Sequence, residues 1–330
     1  MADMHTLVVG GGSWGTTAAH LLAHNSPVKL WVRDENLAAD LEQTRENKRY
    51  LPGSTIHPNV QATSDMEWAA AGANLVVLAV PTVAMRQVSR DLGRLGMGSV
   101  TAVCLAKGFE PDSNLRMTEV AAQEFPEAEV GVVTGPNLCK EILAGKPASG
   151  VVAFSNHRSA LSVQKIFTTN TFRVFTGSDV IGCELGGALK NVYAIAAAIV
   201  EGMGLGDNAR AAVITRGLSE LCSLGAVMGA DQRTLVGLAG LGDLVASCMS
   251  PQSRNATVGR HLGMGYSLEE VVGNLGQVAE GIPAAKSAYQ LARAHEVPMP
   301  IADLVYEICW QGASAQDAAA RLLTDRLGAE

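Results

Sequence analysis

The sequence predicts an α/β domain built on a doubly wound, mostly parallel sheet, followed by a domain made only of α-helices. Up to Gly177, short apolar runs typical of buried strands alternate with helical patterns, and a glycine-rich turn follows the first of these runs. Beyond Gly177 the strand pattern disappears and helical patterns follow one another. We therefore predict two domains, residues 1–178 and residues 179–330.

The composition argues against several classes of protein. The chain has 330 residues, 48% apolar and 17% charged, enough for two buried cores and too apolar for disorder. A net charge of −7 argues against nucleic-acid binding. The first residues show no targeting signal and the apolar runs are shorter than a bilayer, so we expect a cytoplasmic protein without a membrane span. The six cysteines show no C-x-x-C spacing, which predicts buried thiols rather than a metal site or disulfides.

The first motif is a glycine-rich turn between a strand and a helix. The apolar run Thr6–Val9 leads into Gly10, Gly12 and Gly15, spaced as G-x-G-x-x-G, and a helical pattern begins at Thr16. The first glycine permits a tight turn, the second lets the backbone approach a pyrophosphate, and the third lets the helix pack on the strand. Free N–H groups at the helix start attract phosphate. The turn therefore predicts a dinucleotide site in a Rossmann-type domain.

The end of the second predicted strand bears on which dinucleotide is bound. Arg33 and Asp34 directly follow the run Val28–Val32. An acidic residue at this place hydrogen-bonds the ribose 2′-hydroxyl of NAD, whereas an arginine accommodates the 2′-phosphate of NADP. Both types are present, so the pattern leaves the choice open. Because Arg33 comes first, we expect NADP(H) to be preferred and NAD(H) to be tolerated.

Two further predicted strands end in polar residues at the sheet edge where ligands bind in such folds. The strand Val100–Leu105 runs into Lys107, and the strand Val130–Thr134 runs into Gly135 and Asn137. Lys107 is either a solvated loop lysine or a cation in the ligand crevice, and the pattern does not separate the two. Asn137 can hydrogen-bond either the backbone or a ligand.

One lysine stands out in the first long helical run of the second predicted domain. From Val180 to Val200 only Glu184 and Lys190 are charged, and their spacing does not make an (i, i+4) pair. Lysine is rarely buried without a partner. This ammonium therefore either reaches the surface or is held for a purpose.

Two stretches downstream offer groups suited to a phosphorylated ligand. The stretch Gly237–Leu244 is too rich in glycine to predict a stable helix, and it presents Asp243. Ser253, Arg254 and Asn255 stand at a predicted helix start, where backbone N–H groups, a guanidinium and side-chain donors suit a phosphate. The alternative for Arg254 is a solvated surface arginine.

In chain order, these motifs resemble those of bacterial-type NAD(P)-dependent glycerol-3-phosphate dehydrogenases. The resemblance extends over essentially the whole chain. Besides the glycine turn, it is carried by Asn47 with Tyr50–Gly53, Lys107–Gly108, Gly135–Glu141, Leu189–Asn191, Gly206–Asn208, Thr215–Gly217, Gly240–Leu244, Ser253–Asn255 and Gly276–Gly281.

The resemblance implies a role for individual residues, with Lys190 as the proton donor and acceptor. The dinucleotide contacts that it implies, besides the glycines, are Ser13, Trp14, Arg33, Tyr50, Lys107, Cys139, Arg254, Val278 and Glu280. The substrate contacts that it implies are Lys107, Gly135, Asn137, Lys190, Asp243, Ser253, Arg254 and Asn255. This chain has Asn137 where serine is frequent and Cys139 where alanine is frequent. We expect Asn137 to keep a hydrogen bond to the substrate, and we expect no redox regulation through Cys139.

The implied reaction is the reversible reduction of dihydroxyacetone phosphate to sn-glycerol 3-phosphate by hydride transfer, which would supply phospholipid synthesis. No metal is expected, because hydride chemistry belongs to the nicotinamide cofactor. The helical domain could bury a homodimer interface. Two alternatives remain: another two-domain NADP-dependent reductase of the ketopantoate or 2-hydroxyacid type, and a non-catalytic dinucleotide-binding sensor. The predicted phosphate anchor and the two lysines favour a phosphorylated ketone.

Overall fold

The structure is a computed structural model that describes residues 4–275 and 279–324. The chain forms two compact units, Met1–Glu184 and Leu185–Glu330. The described part of the second unit contains only helices, whereas the first combines helices with a sheet. The predicted α/β fold followed by a helical domain is thus confirmed.

One eight-stranded sheet forms the centre of the first unit. Its strands are β1 (Thr6–Val9), β2 (Val28–Trp31), β3 (Val60–Thr63), β4 (Leu75–Leu78), β5 (Val100–Cys104), β6 (Ala128–Thr134), β7 (Ala148–Ala153) and β8 (Phe172–Gly177). They lie in the order β3-β2-β1-β4-β5-β6-β7-β8, and every neighbouring pair is parallel except β6 with β7. Strands β1–β6 therefore end at one edge of the sheet, where β7 and β8 begin. The strand order reverses at β1, and ligands bind at such a switch point in α/β sheets.

Two apolar cores lie on opposite faces of this sheet. The helices of the first unit are α1 (Ser13–Leu22), α2 (Glu35–Thr44), α3 (Met66–Ala70), α4 (Thr82–Arg94), α5 (Met117–Glu124), α6 (Cys139–Leu143) and α7 (His157–Phe167). Successive strand residues point to opposite faces. In β4, Leu75 and Val77 join a core with α1, α2 and α7, while Val76 and Leu78 join a core with α3, α4 and α5. This two-sided burial explains why β4 is a continuous apolar run.

The second unit is organised around one long apolar helix. Its described helices are α8 (Val180–Gly202), whose first turn lies in the first unit, α9 (Gly206–Val227), α10 (Gln232–Leu235), α11 (Asp243–Met249), α12 (Arg254–Gly263), α13 (Leu268–Leu275), α14 (Gly281–Ala294), α15 (Pro300–Trp310) and α16 (Ala315–Thr324). A Cβ atom on Gly259 would lie 2.3 Å from the carbonyl oxygen of Ile195, and one on Gly263 would lie 2.2 Å from that of Ile199. These glycines therefore let α12 pack directly on the backbone of α8.

The glycine-rich stretch before α11 differs from its prediction. It is helical: Leu238–Gly242 forms a π-helical turn, and α11 begins at Asp243. A Cβ atom on Gly240 would lie 2.0 Å from the carbonyl oxygen of Leu235. The glycine thus permits a close backbone approach, so its low intrinsic helix propensity does not decide the local structure.

Helix α8 is long and apolar enough, by length and composition, to cross a membrane, but its apolar window is wholly buried in the described structure. A bent pair, Gln232–Met249 with Arg254–Gly263, passes the same compositional test. Core helices of globular proteins pass it too, so these segments are weak evidence for a span.

Both charges of α8 are buried. The Glu184 carboxylate accepts hydrogen bonds from the Thr118 backbone N–H (2.9 Å), from the Thr118 hydroxyl (2.6 Å) and from Arg116 (2.9 Å). Burial raises the pKa of Glu184, and the bonds from Thr118 and the charge of Arg116 oppose that rise. This charge is therefore accounted for by local structure within the first unit.

A buried carboxylate of the second unit makes stability depend on pH. Glu220 of α9 accepts hydrogen bonds from the backbone N–H groups of Ile301 (2.7 Å) and Ala302 (3.2 Å), in the first turn of α15. Burial raises the pKa of Glu220 from 4.5 to about 7, although these two bonds act in the opposite direction. Because the folded pKa is the higher one, the stabilisation from protonated Glu220 is complete below pH 4.5 and is lost as pH rises through about 7.

We expect the free energy of unfolding of the wild type to fall by about 2 kcal/mol more than that of Glu220→Gln between pH 5 and pH 8. The variant has no titrating group at this position, so the difference between the two proteins isolates Glu220. Urea titrations followed by circular dichroism at both pH values measure it. Equal pH dependence in the two proteins would show that Glu220 does not titrate in this range.

Candidate active site

The predicted site residues fall into two sets. The first unit contains Gly10, Gly12, Ser13, Trp14, Gly15, Arg33, Tyr50, Lys107, Gly135, Asn137 and Cys139. The second contains Lys190, Asp243, Ser253, Arg254, Asn255 and Glu280. Val278 lies outside the described residues.

The glycine turn joins β1 to α1 and has room for a ligand beside its backbone. Gly10 has a φ of +119°, and a Cβ atom there would lie 2.6 Å from the carbonyl oxygen of Ala79. A Cβ atom on Gly15 would lie 1.9 Å from the carbonyl oxygen of Gly10. At Gly12, by contrast, no described atom lies within 4 Å of a Cβ position. Gly12 precedes α1 and provides no side-chain cap, so the N–H groups of the first turn suit a phosphate.

A buried asparagine supports this turn. Asn47 is fully buried, and its Nδ2 donates to the carbonyl oxygen of Gly11 (2.9 Å) and to the hydroxyl of Thr16 (2.8 Å). Its Oδ1 accepts a hydrogen bond from the backbone N–H of Tyr50 (3.2 Å), and the Ser13 hydroxyl donates to the carbonyl oxygen of Tyr50 (3.4 Å). The loop that carries Tyr50 is therefore tied to the glycine turn. The family motif includes Asn47, but no role for it was predicted.

Trp14 leaves a buried donor without a protein acceptor. Its Nε1 atom is buried and has no hydrogen-bond partner among the described residues. Its indole lies 6.3 Å, between ring centroids, from Phe172 at the start of β8. An unpaired buried donor costs free energy unless a ligand satisfies it. The glycine cradle, the uncapped helix start and this donor together fit a dinucleotide.

The two candidate determinants of cofactor preference have different environments. Arg33 is exposed and makes no hydrogen bond or ion pair with the described residues. Asp34 Oδ1 accepts hydrogen bonds from the backbone N–H groups of Asn36 (3.0 Å) and Leu37 (3.2 Å), so it caps α2. The acidic residue at the end of β2 thus has a structural role that is independent of any ribose.

Lys107, Gly135 and Asn137 come together after β5 and β6. The Lys107 Nζ atom donates to the carbonyl oxygen of Gly135 (2.9 Å) and to Asn137 Oδ1 (2.7 Å). Because an ammonium only donates, this contact fixes the orientation of the Asn137 amide. Its Nδ2 atom is buried and has no partner among the described residues, which leaves a donor for a ligand. Cys139, the first residue of α6, lies close by, with Sγ 4.0 Å from the carbonyl oxygen of Asn137.

The ammonium of Lys190 is buried and oriented by two oxygen atoms. The residue is 7% exposed, and its Nζ donates to Asp243 Oδ1 (2.9 Å) and to the Ser247 hydroxyl (2.6 Å). Asp243 begins α11 and Ser247 lies one turn further on, so both face the same way. An ammonium has three N–H groups, and one remains beyond these two bonds. Sequence reasoning missed Ser247; its (i, i+4) spacing from Asp243 was the available signal.

The predicted phosphate anchor stands at the start of α12. The Ser253 hydroxyl accepts a hydrogen bond from the Ala256 backbone N–H (3.2 Å) and caps the helix, while Arg254, its first residue, is exposed. Asn255 is buried; its Nδ2 donates to Asn191 Oδ1 (2.8 Å), and its Oδ1 accepts from the Gly281 backbone N–H (2.9 Å). The Asn255 amide keeps one N–H and one lone pair beyond these bonds.

Glu280 lies directly before α14, next to the Gly281 N–H group bound by Asn255.

In the described ranges, no group of three or more His, Cys, Asp or Glu side chains is arranged to hold a metal ion. All six cysteines are free thiols. The candidate residues of the two units therefore offer lysine, arginine, carboxylate, thiol and neutral donor groups.

Comparisons with known proteins agree along the chain. The sequence model of one protein family, the NAD-dependent glycerol-3-phosphate dehydrogenase N-terminus, matches residues 6–160. The model of the C-terminus of the same family matches residues 179–320. A glycerol-3-phosphate dehydrogenase (NAD(P)+) of Corynebacterium kroppenstedtii is 46% identical over 320 residues, 96% of each chain. One from Sphingopyxis alaskensis is 42% identical over 323 residues, 98% of this chain and 97% of the relative. The crystal structure of the Coxiella burnetii glycerol-3-phosphate dehydrogenase has a TM-score of 0.93 at 34% identity and covers 98% of this chain and 99% of its own.

Proposed function

The chain belongs to the NAD-dependent glycerol-3-phosphate dehydrogenase family, and we propose from this membership that it reversibly reduces dihydroxyacetone phosphate to sn-glycerol 3-phosphate with NADPH or NADH. The observation that carries the proposal is the buried Lys190 ammonium, which Asp243 and Ser247 hold at 2.9 and 2.6 Å. A sensor that only bound a dinucleotide would not need a buried, oriented lysine.

In this proposal the first unit binds the dinucleotide. The glycine turn and the start of α1 hold the pyrophosphate, and the Trp14 indole provides a donor. Further contacts come from Ser13, Arg33, Tyr50, Lys107, Cys139, Arg254, Val278 and Glu280, the positions that match the family motifs. The bound nicotinamide supplies the hydride for reduction or accepts it in the reverse direction.

Lys190 acts as the general acid in reduction and as the base in oxidation. When a hydride reaches the carbonyl carbon, negative charge grows on the carbonyl oxygen and must be met by a proton or a cation. The third N–H group of Lys190 can give that proton, while Asp243 and Ser247 keep the amine in one orientation. Lys107 adds a second positive charge, and Asn137 holds it in place.

Arg254 binds the substrate phosphate. A guanidinium offers paired N–H groups that match phosphate oxygens, and the start of α12 adds backbone donors. Asn255 and Ser253 contribute side-chain polar groups beside it. Because the phosphate lies away from the reacting carbon, its binding energy serves to orient the ketone.

The proposal extends to the organisation of the chain and its setting. Residues 1–178 form the dinucleotide domain, and residues 179–330 supply Lys190 and the phosphate anchor. The enzyme works in the cytoplasm and supplies phospholipid synthesis with glycerol 3-phosphate. A homodimer is consistent with this proposal, and light scattering of the purified protein tests it.

The proposed reaction can be tested in one cuvette. NADPH absorbance should fall when dihydroxyacetone phosphate is added and should not fall with ketopantoate. Consumption with ketopantoate instead would identify the alternative reductase. Tight binding of NADPH without consumption on either ketone would identify a sensor.

Asn137→Ala is expected to lower kcat/KM for dihydroxyacetone phosphate by roughly 10- to 100-fold, because it removes a donor and one partner of the Lys107 ammonium. Steady-state kinetics measures this loss, and fluorescence titration should show an unchanged Kd for NADPH. Asn137→Ser is the matched control: its hydroxyl can still donate and accept, so we expect a loss of less than about tenfold. Full activity in Asn137→Ala would remove this residue from the substrate site.

A further inference from the structure

The loop that carries Tyr50 also presents an arginine beside the end of β2. Arg49 Nη1 lies 3.6 Å from Asp34 Oδ2, and its guanidinium carbon lies 5.2 Å from the centroid of the Tyr50 ring. The loop is anchored to the glycine turn through Asn47. Arg49 thus makes two contacts near the end of β2, to a carboxylate and to an aromatic ring, and it stands in an anchored loop.

Asp34 has two structural roles, one for each of its carboxylate oxygens. Its Oδ1 caps α2 through Asn36 and Leu37, and its Oδ2 faces Arg49. A ribose 2′-hydroxyl bound by Oδ2 would compete with Arg49. The carboxylate that would indicate NAD in this fold therefore acts as a helix cap and as a partner for an arginine.

Two arginines near this carboxylate, one in space and one in sequence, could bind an anion. Arg33, adjacent in sequence, makes no ion pair with the described residues, and Arg49 has a side chain that is 63% exposed. An ion pair between exposed side chains is weak. Arg49 can therefore leave Asp34 for a more highly charged anion with little loss of free energy. A phosphate monoester carries more charge than a carboxylate and accepts paired guanidinium N–H groups.

We propose that Arg49 is, with Arg33, a determinant of preference for NADPH, and that it binds the 2′-phosphate of the adenosine ribose. Asp34 holds Arg49 in position while the phosphate is absent. This inference rests on the proposed dinucleotide function of the first unit. It assigns Asp34 to the architecture of an NADP site rather than to recognition of NAD.

Binding measurements on the full chain test the inference without relying on turnover. Calorimetry gives Kd values for NADPH and NADH, and for adenosine 2′,5′-bisphosphate and AMP as fragments with and without the 2′-phosphate. We expect Arg49→Ala to weaken NADPH and the bisphosphate by about tenfold, with NADH and AMP changed less than about twofold. Arg49→Lys should retain part of the affinity, because it keeps the charge but loses the paired donors.

Two further variants sharpen the result. Lys48→Ala removes an exposed cation from the same loop that has no partner among the described residues, and it should change all four Kd values by less than about twofold. Asp34→Asn keeps an oxygen to cap α2 but removes the competing charge, so NADPH should bind as tightly as in the wild type or more tightly.

Equal weakening of NADPH and NADH in Arg49→Ala would overturn the proposal, since it would indicate a general effect on the loop. No change in either ligand would overturn it as well. Failure of the proposed reaction has a different signature: the wild type would bind NADPH more tightly than NADH and yet leave dihydroxyacetone phosphate unreduced.

Discussion

Lys190→Ala is expected to lower kcat for the reduction of dihydroxyacetone phosphate by about 10²- to 10⁴-fold, the usual contribution of a positioned acid or base. Lys190 is 7% exposed and its ammonium is oriented by Asp243 and Ser247, so the variant loses a proton donor that the wild type holds in position. The glycine turn and Trp14 are unaffected, so Kd for NADPH should stay within about twofold of the wild type. Stopped-flow and steady-state kinetics measure kcat, and fluorescence titration measures Kd.

Three variants separate chemistry from structure at Lys190. Lys190→Met keeps the length of the side chain without its proton, so it should match the alanine variant in kcat. Ser247→Ala removes one of the two orienting oxygens and should lower kcat only about 2- to 10-fold, because the Asp243 carboxylate still orients the ammonium. Asp243→Asn removes the paired charge and should fall between these limits. Near-wild-type kcat in both Lys190 variants would exclude this residue from proton transfer.

The first unit was the more predictable part of the chain. The spacing of Gly10 and Gly15 reflects a close backbone approach between these two residues of one turn, and such a local constraint is visible in sequence. The continuous apolar run of β4 likewise predicts a strand that is buried on both faces, as it is in the structure. The polar residues at the ends of β5 and β6 followed from the strand assignments, because parallel strands end at one edge.

Partners distant in sequence could not be predicted. The two charges of α8 were anomalous in sequence, but nothing indicated that Glu184 would bind Thr118. For Lys190, the spacing of Ser247 from Asp243 was the one local signal, and it does not by itself identify Ser247 as a partner. The same holds for the support of the glycine turn by Asn47. Each of these contacts depends on how separate elements pack, which no local pattern contains.

Asp34 and the stretch before α11 show a second limit of prediction from sequence. Their residue types have more than one physical use. A carboxylate at the end of β2 can bind a ribose or cap a helix, and here it caps α2. A glycine-rich stretch can be a loop or a place of close packing, and here it forms a π-helical turn in which Gly240 approaches the Leu235 backbone. Only the three-dimensional neighbours decide between such uses.

Arg254→Ala is expected to raise KM for dihydroxyacetone phosphate by roughly 10- to 150-fold, the loss associated with hydrogen bonds to a charged group. The rise should depend on the phosphate: with unphosphorylated dihydroxyacetone as substrate and NADPH at saturation, kcat/KM should be the same in the variant and the wild type. Part of the phosphate binding energy orients the ketone, so kcat for the phosphorylated substrate should also fall. Steady-state kinetics with both ketones measures all of these values.

The same helix provides a matched control for Arg254. Arg260 also lies on α12, but it pairs with Glu201 at the end of α8 (3.4 Å) instead of standing at the helix start. Arg260→Ala should therefore leave KM unchanged and lower only the melting temperature. Arg254→Lys should recover part of the affinity, because an ammonium attracts phosphate without matching its geometry. If Arg254→Ala weakened the binding of NADPH but not of dihydroxyacetone phosphate, Arg254 would belong to the dinucleotide site alone, and the phosphate anchor would have to be sought elsewhere among the donors of the second unit.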